Sequence, residues 1–132
     1  MPGDLSRAAK AGLAYFAVVF AAGFVMGTVR ELVIAPRHGP VGAVLVELPI
    51  MLVLSWFTAG LLVKAFAVPP DGAARLTMGA LAFVLLQGGE MALAAAFGLA
   101  PVAYVAGLAS LKGAIGLAGQ VAFALIPLFV KD

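Results

Sequence analysis

Residues 11–29, AGLAYFAVVFAAGFVMGTV, run for nineteen positions without a charge. A helix rises about 1.5 Å per residue, and a bilayer core of about 30 Å takes roughly 20 apolar residues. The run therefore reads as a membrane span, continuing through Arg30-Glu31 to Pro36. Three more runs of that kind follow. Residues 41–63 carry only Glu47, residues 76–99 enclose Glu90, and residues 113–130 are closed by Lys131-Asp132. The expected fold is all-α: a polytopic membrane protein forming one antiparallel bundle of four transmembrane helices over 1–132, with spans at about 11–35, 41–63, 76–99 and 113–130.

Composition agrees. Hydrophobic residues make up 64% of the chain and charged residues 11%, with a mean hydropathy of +1.17. Soluble domains carry about 25% charged residues. The net charge of +2 comes from scattered Lys and Arg, without the basic stripe that nucleic-acid binding requires. No cysteine and one histidine, His38, leave no set of ligands for a metal or haem, and no cofactor is expected. A positive start (Arg7, Lys10) gives residues 1–30 some likeness to a signal peptide. The apolar run is long for one, and three spans follow, so the reading is a retained first helix.

Lys and Arg set the orientation. Arg7, Lys10, Lys64, Arg75 and Lys131 fall on one side; Arg30, Arg37 and Lys112 fall on the other. Both termini are therefore expected in the cytoplasm. Short connections at 38–40 and 68–72 predict that sequential helices pack as neighbours. Residues 100–112 resist placement in a span, because Lys112 would then lie near mid-membrane. They read as a partly buried loop or a short interfacial helix, with Tyr104 at the headgroup level.

Charges inside spans carry the functional information. By helical rise, Arg30 and Glu31 lie roughly 8–9 Å inside the outer end of the first span, Glu47 roughly 10 Å inside the second, and Glu90 about 14 Å inside the third. Four charged residues on three helices thus share the outer half. Gln87 precedes Glu90 by three positions, on the same face. Gly23 and Gly27 lead at spacings of four to Glu31, and Gly116 and Gly119 accompany Gln120 on the last helix. These glycines are expected at helix-packing positions. Pro49 is expected to kink the second helix and free the Leu45 carbonyl near Glu47, either a place for a cation or a water or a kink that a neighbouring helix satisfies.

The polar cluster has a structural reading, Arg30 paired with Glu47 or Glu90 as a lock between helices. It also has a functional one. Three glutamates face one definite arginine, so at least one carboxyl is expected to hold a proton part of the time, which suits proton- or cation-coupled movement. His38 reads as a solvated loop residue, and Trp56 with Phe57 as packing or lipid contact. No Gly-x-Ser-x-Gly, phosphate loop or His-Glu-x-x-His occurs, so catalysis is not expected.

The segment from Gly27 through Arg30-Glu31 and Pro36 to Gly39, then Glu47-Leu-Pro49-Ile-Met51 and Ser55, with Arg75, Gly79 and Glu90, resembles a group of uncharacterised four-span proteobacterial membrane proteins. The likeness covers nearly the whole chain and is best over residues 27–63. It implies a four-helix architecture, a loop before the last span and a bacterial inner membrane, and no activity. The expected function is that of a small non-enzymatic membrane protein, embedded in the lipid bilayer and acting as a homo-oligomer or with a partner membrane protein. The alternatives are a proton- or cation-coupled transporter or channel using Glu47 and Glu90, and a binding protein for lipid or a hydrophobic small molecule.

Overall fold

The computed structural model describes residues 2–130; the Lys131-Asp132 pair expected to close the last span lies outside them. In chain order the elements are α1 (Pro2–Val29), a π-helical turn (Arg30–Ile34), α2 (Ala35–Ala65), α3 (Gly72–Ala96), a short α4 (Pro101–Gly107) and α5 (Leu111–Phe129). Three helical stretches, residues 3–65, 72–96 and 111–129, are long and apolar enough to cross a membrane. The first of them is two helices. At Gly39 the backbone takes φ 76° and ψ 168°, a conformation glycine tolerates and other residues avoid. Pro40 also disfavours a helical residue before it. The chain turns there, and four long helices result.

The boundaries follow local chemistry. α3 stops at Ala96, short of the expected Leu99, because Gly98 adopts φ 92° and closes a Schellman motif. Its N–H donates to the Ala95 carbonyl at 3.0 Å, and that of Leu99 to the Ala94 carbonyl at 2.9 Å. α5 begins at Leu111 because the Ser110 hydroxyl accepts from the Gly113 N–H at 3.0 Å, capping the first turn. Between them, Pro101 at the first turn of α4 starts a short helix where a loop or such a helix was expected.

The four long helices form a ring in which α1 packs on α3, α3 on α5, α5 on α2 and α2 on α1. α2 and α3 therefore lie across the diagonal, although a short loop joins them. This differs from the expectation that sequential helices are neighbours. Glycines explain the choice. A Cβ on Gly12 would lie 2.7 Å from the Met78 carbonyl oxygen, and one on Gly79 would collide with the Ala124 carbonyl. Backbone meets backbone at α1–α3 and α3–α5, and those contacts fix the ring.

Most of the buried residues gather at one end of this ring, in the first half of α1, the last half of α2, the first half of α3 and the end of α5. Tyr15, Val63, Val68, Met78 and Phe123 belong to it. The opposite end spreads. On the outside, large apolar side chains such as Leu32, Phe57, Leu61 and Val84 remain exposed. A water-soluble monomer rarely shows such a surface. Trp56 and Phe57 belong to it; His38 is exposed in its turn.

Candidate functional site

The spread end encloses a cleft of about 880 Å³, lined from α1, the π-helical turn, α2, α3, α4 and α5. Val19, Ser55, Leu86 and Phe123, all buried, line its deep part. Arg30, Glu31, Glu47, Glu90 and Lys112 line it as well. The sequence placed four of these five charges at similar depths; the structure puts them on one cavity.

Their positions have local causes. Side chains on a helix lean toward its N-terminus, and Arg30 follows that rule. Its guanidinium lies back over Gly27, where a Cβ would sit 3.4 Å from Nη2. Arg30 belongs to the π-helical turn, in which the Ala35 N–H reaches the Arg30 carbonyl, one residue further than in an α-helix. Pro36 follows and has no N–H to give, so the ladder is already loosened there. Such turns recur at functional sites.

Arg30 Nη1 donates to Glu47 Oε2 across α1 and α2, and Nε donates to Glu31 Oε1 at 3.2 Å. Lys112, in the first turn of α5, brings its Nζ to 3.7 Å from the same Glu31 oxygen. Two cations therefore serve two carboxylates. Glu90 is not among them. Its Oε2 accepts from the Tyr104 hydroxyl at 3.0 Å and from Gln120 Nε2 at 2.6 Å. Gln87 in turn donates to Gln120 Oε1. Arg30 thus pairs with Glu47, and Glu90 with Gln87 forms a second, uncharged-donor network on the facing wall.

Tyr104 turns its hydroxyl toward Glu90, where a partly buried phenol finds an acceptor. Burial first, then the neighbouring Glu90 charge, raises its ionisation above the ordinary value of 10.0. The phenol therefore holds its proton well into alkaline conditions.

Pro49 lies inside α2, whose non-helical residue is Gly39. Leu45, whose carbonyl Pro49 cannot serve, is exposed and is not among the residues that line the cleft. Of the glycines, Gly119 does pack, since a Cβ there would strike Leu48. Gly116 has no neighbour within 4 Å, and Gly23 meets only Met51 Cε at 3.8 Å. Gly23, Gly27 and Gly116 keep the cleft open more than they hold helices together. Among the described residues no three acidic or histidine side chains converge on a metal position.

The sequence reading also missed two clasps at the buried end. Arg75, counted there as a loop cation, is 3% exposed and donates to the carbonyls of Pro69 at 3.1 Å, Pro127 at 2.9 Å and Val130 at 2.6 Å. A cation at the end of α5 is favoured by the helix dipole. Pro127 has no N–H for the Phe123 carbonyl, and the Tyr15 hydroxyl donates to it at 2.7 Å. The two rings stack with centroids 4.2 Å apart. A proline four residues after a carbonyl was the available signal.

No family model, curated protein or solved structure matches the chain.

Proposed function

We propose that the chain is a non-enzymatic membrane protein that receives a hydrophobic or amphipathic molecule in its cleft. The cleft itself carries this reading. At about 880 Å³ it falls within the roughly 300–1,000 Å³ of pockets that hold drug-sized ligands. Apolar walls with a few placed polar groups are what such pockets offer. One chain alone forms the cavity. The buried end, with Arg7, Lys10, Lys64 and Arg75 near it, faces the cytoplasm of a bacterial inner membrane in this proposal, and the cleft faces the outer half.

The test is native mass spectrometry of protein released from mild detergent, with saturable binding of the neutral probe N-phenyl-1-naphthylamine measured alongside. Gly116→Phe is the blocking variant, because Gly116 lines the cleft and a Cβ there meets nothing within 4 Å. Wild type should retain an amphipathic adduct and bind the probe, and the variant should do neither while folding normally. Wild type with neither adduct nor saturable probe binding overturns the proposal.

A further inference from the structure

The charges on the cleft do not balance. Arg30 and Lys112 stand against Glu31, Glu47 and Glu90. Both cations are engaged with Glu31 or Glu47, within 4 Å in each case. The unmatched negative charge is therefore located on Glu90, whose two partners are the neutral donors Tyr104 and Gln120.

The placement of those donors matters. Both reach the same oxygen, Oε2. Among the described residues Oε1 has no partner, yet no fully buried side-chain oxygen or nitrogen in them lacks one. Oε1 therefore has accessible surface, on a residue that lines the cleft. A carboxylate in apolar surroundings is costly unless a cation or a proton neutralises it. The chain holds this one in position with two hydrogen bonds and leaves its second oxygen directed at accessible space. Phe20, Phe24, Phe97 and Tyr104 also line the cavity, and aromatic faces attract organic cations.

We infer that the cleft selects a lipophilic organic cation, an amine or quaternary onium group on an apolar body, with Glu90 Oε1 as its counter-ion. This rests on the binding reading above and adds the sign of the ligand's charge. An anionic amphiphile would meet the unmatched carboxylate and be disfavoured. A neutral one would leave the charge unanswered.

Tetraphenylphosphonium and tetraphenylborate share one shape and differ in charge. Their binding to detergent-solubilised protein is compared by equilibrium dialysis in a non-ionic maltoside, with protein-free micelles subtracted. The phosphonium should bind saturably and about tenfold or more tighter than the borate. Glu90→Gln, which keeps an acceptor for Tyr104 and Gln120, should weaken the phosphonium about tenfold more than it weakens N-phenyl-1-naphthylamine. Glu31→Gln removes a charge that already has two cations beside it, and should change phosphonium binding less than about twofold. Equal binding of the two ions, or a Glu90→Gln variant that binds the phosphonium like wild type, overturns the inference. If the neutral probe still binds and Gly116→Phe still blocks it, the binding reading survives that failure. If neither the ions nor the neutral probe bind saturably, both fail together.

Discussion

At the buried end of the bundle, Arg75 and Tyr15 reach backbone carbonyls; at the open end, the charged and amide side chains reach one another. Arg75 and Tyr15 donate to the carbonyls of Pro69, Phe123, Pro127 and Val130. Those acceptors are fixed by helix ends and by a proline, and they cannot titrate or change rotamer. Arg30, Glu47, Glu90, Tyr104 and Gln120 meet through side chains that can exchange one partner for another. The difference separates a clasp from a site. A group bonded to backbone holds the ring shut, whereas a group bonded to a side chain can turn toward a ligand.

The largest effect should come from breaking the clasp. Arg75→Leu leaves the carbonyls of Pro69, Pro127 and Val130 without this donor in a buried place. It should cost about 3 kcal/mol or more, read as a loss of unfolding midpoint in detergent. Arg75→Lys should restore only part, because an ammonium lacks the spread of a guanidinium. A variant as stable as wild type would make the buried end no tighter than the open one.

Glycines sharpen the same contrast. Gly79→Ala would drive a methyl into the Ala124 carbonyl and force α3 from α5, at about 2 kcal/mol. Gly116→Ala meets nothing and removes a flexible residue from α5, so it should be neutral or stabilising by up to about 1 kcal/mol. Similar losses at both positions would mean that the cleft closes in the folded protein.

Next comes the pair across α1 and α2. Arg30→Gln and Glu47→Gln should each cost about 1 kcal/mol, and the double variant should cost less than their sum, since each single change strands the partner. The side chains are 25% and 12% exposed, which keeps the effect below that of Arg75. Additive losses would show that Arg30 and Glu47 are uncoupled.

What the sequence could and could not reveal divides along the same line. Helical rise converts residue number into depth, so the shared level of Arg30, Glu31, Glu47 and Glu90 was legible in residue spacing alone. Apolar runs gave the four helices, and Gly39-Pro40 gave the turn between the first two. Rotation about a helix axis is not encoded in depth, so nothing in the chain said that Arg30 faces Glu47 while Glu90 faces Tyr104. The clasp of Arg75 was hidden for a related reason. Hydropathy sees only an arginine before a span, and two of its acceptors, the Pro127 and Val130 carbonyls, come from the far end of the chain. The diagonal placement of α2 and α3 was hidden because it depends on where backbones touch at Gly12 and Gly79, and those glycines look like any others.

The smallest expected effect is the one that reads Glu90 without a ligand. Tyr104 resists ionisation because it is partly buried and, in second place, because Glu90 is beside it. A phenol whose folded value exceeds its unfolded value adds stability that is whole below the ordinary value of 10.0 and is lost as pH rises above it. The unfolded chain releases the proton first, so alkali favours unfolding. Wild type should therefore lose stability relative to Tyr104→Phe as pH rises above about 10. Only two tyrosines are present, so in a Tyr15→Phe background the tyrosinate absorbance belongs to Tyr104 alone. Adding Glu90→Gln removes the electrostatic cause and keeps burial, and the titration should move back part of the way toward the ordinary value. That movement would show that Glu90 stands charged on the cleft wall. A titration that stays in place would mean that Glu90 already carries a proton, and the open end would then hold its polar groups as quietly as the buried one.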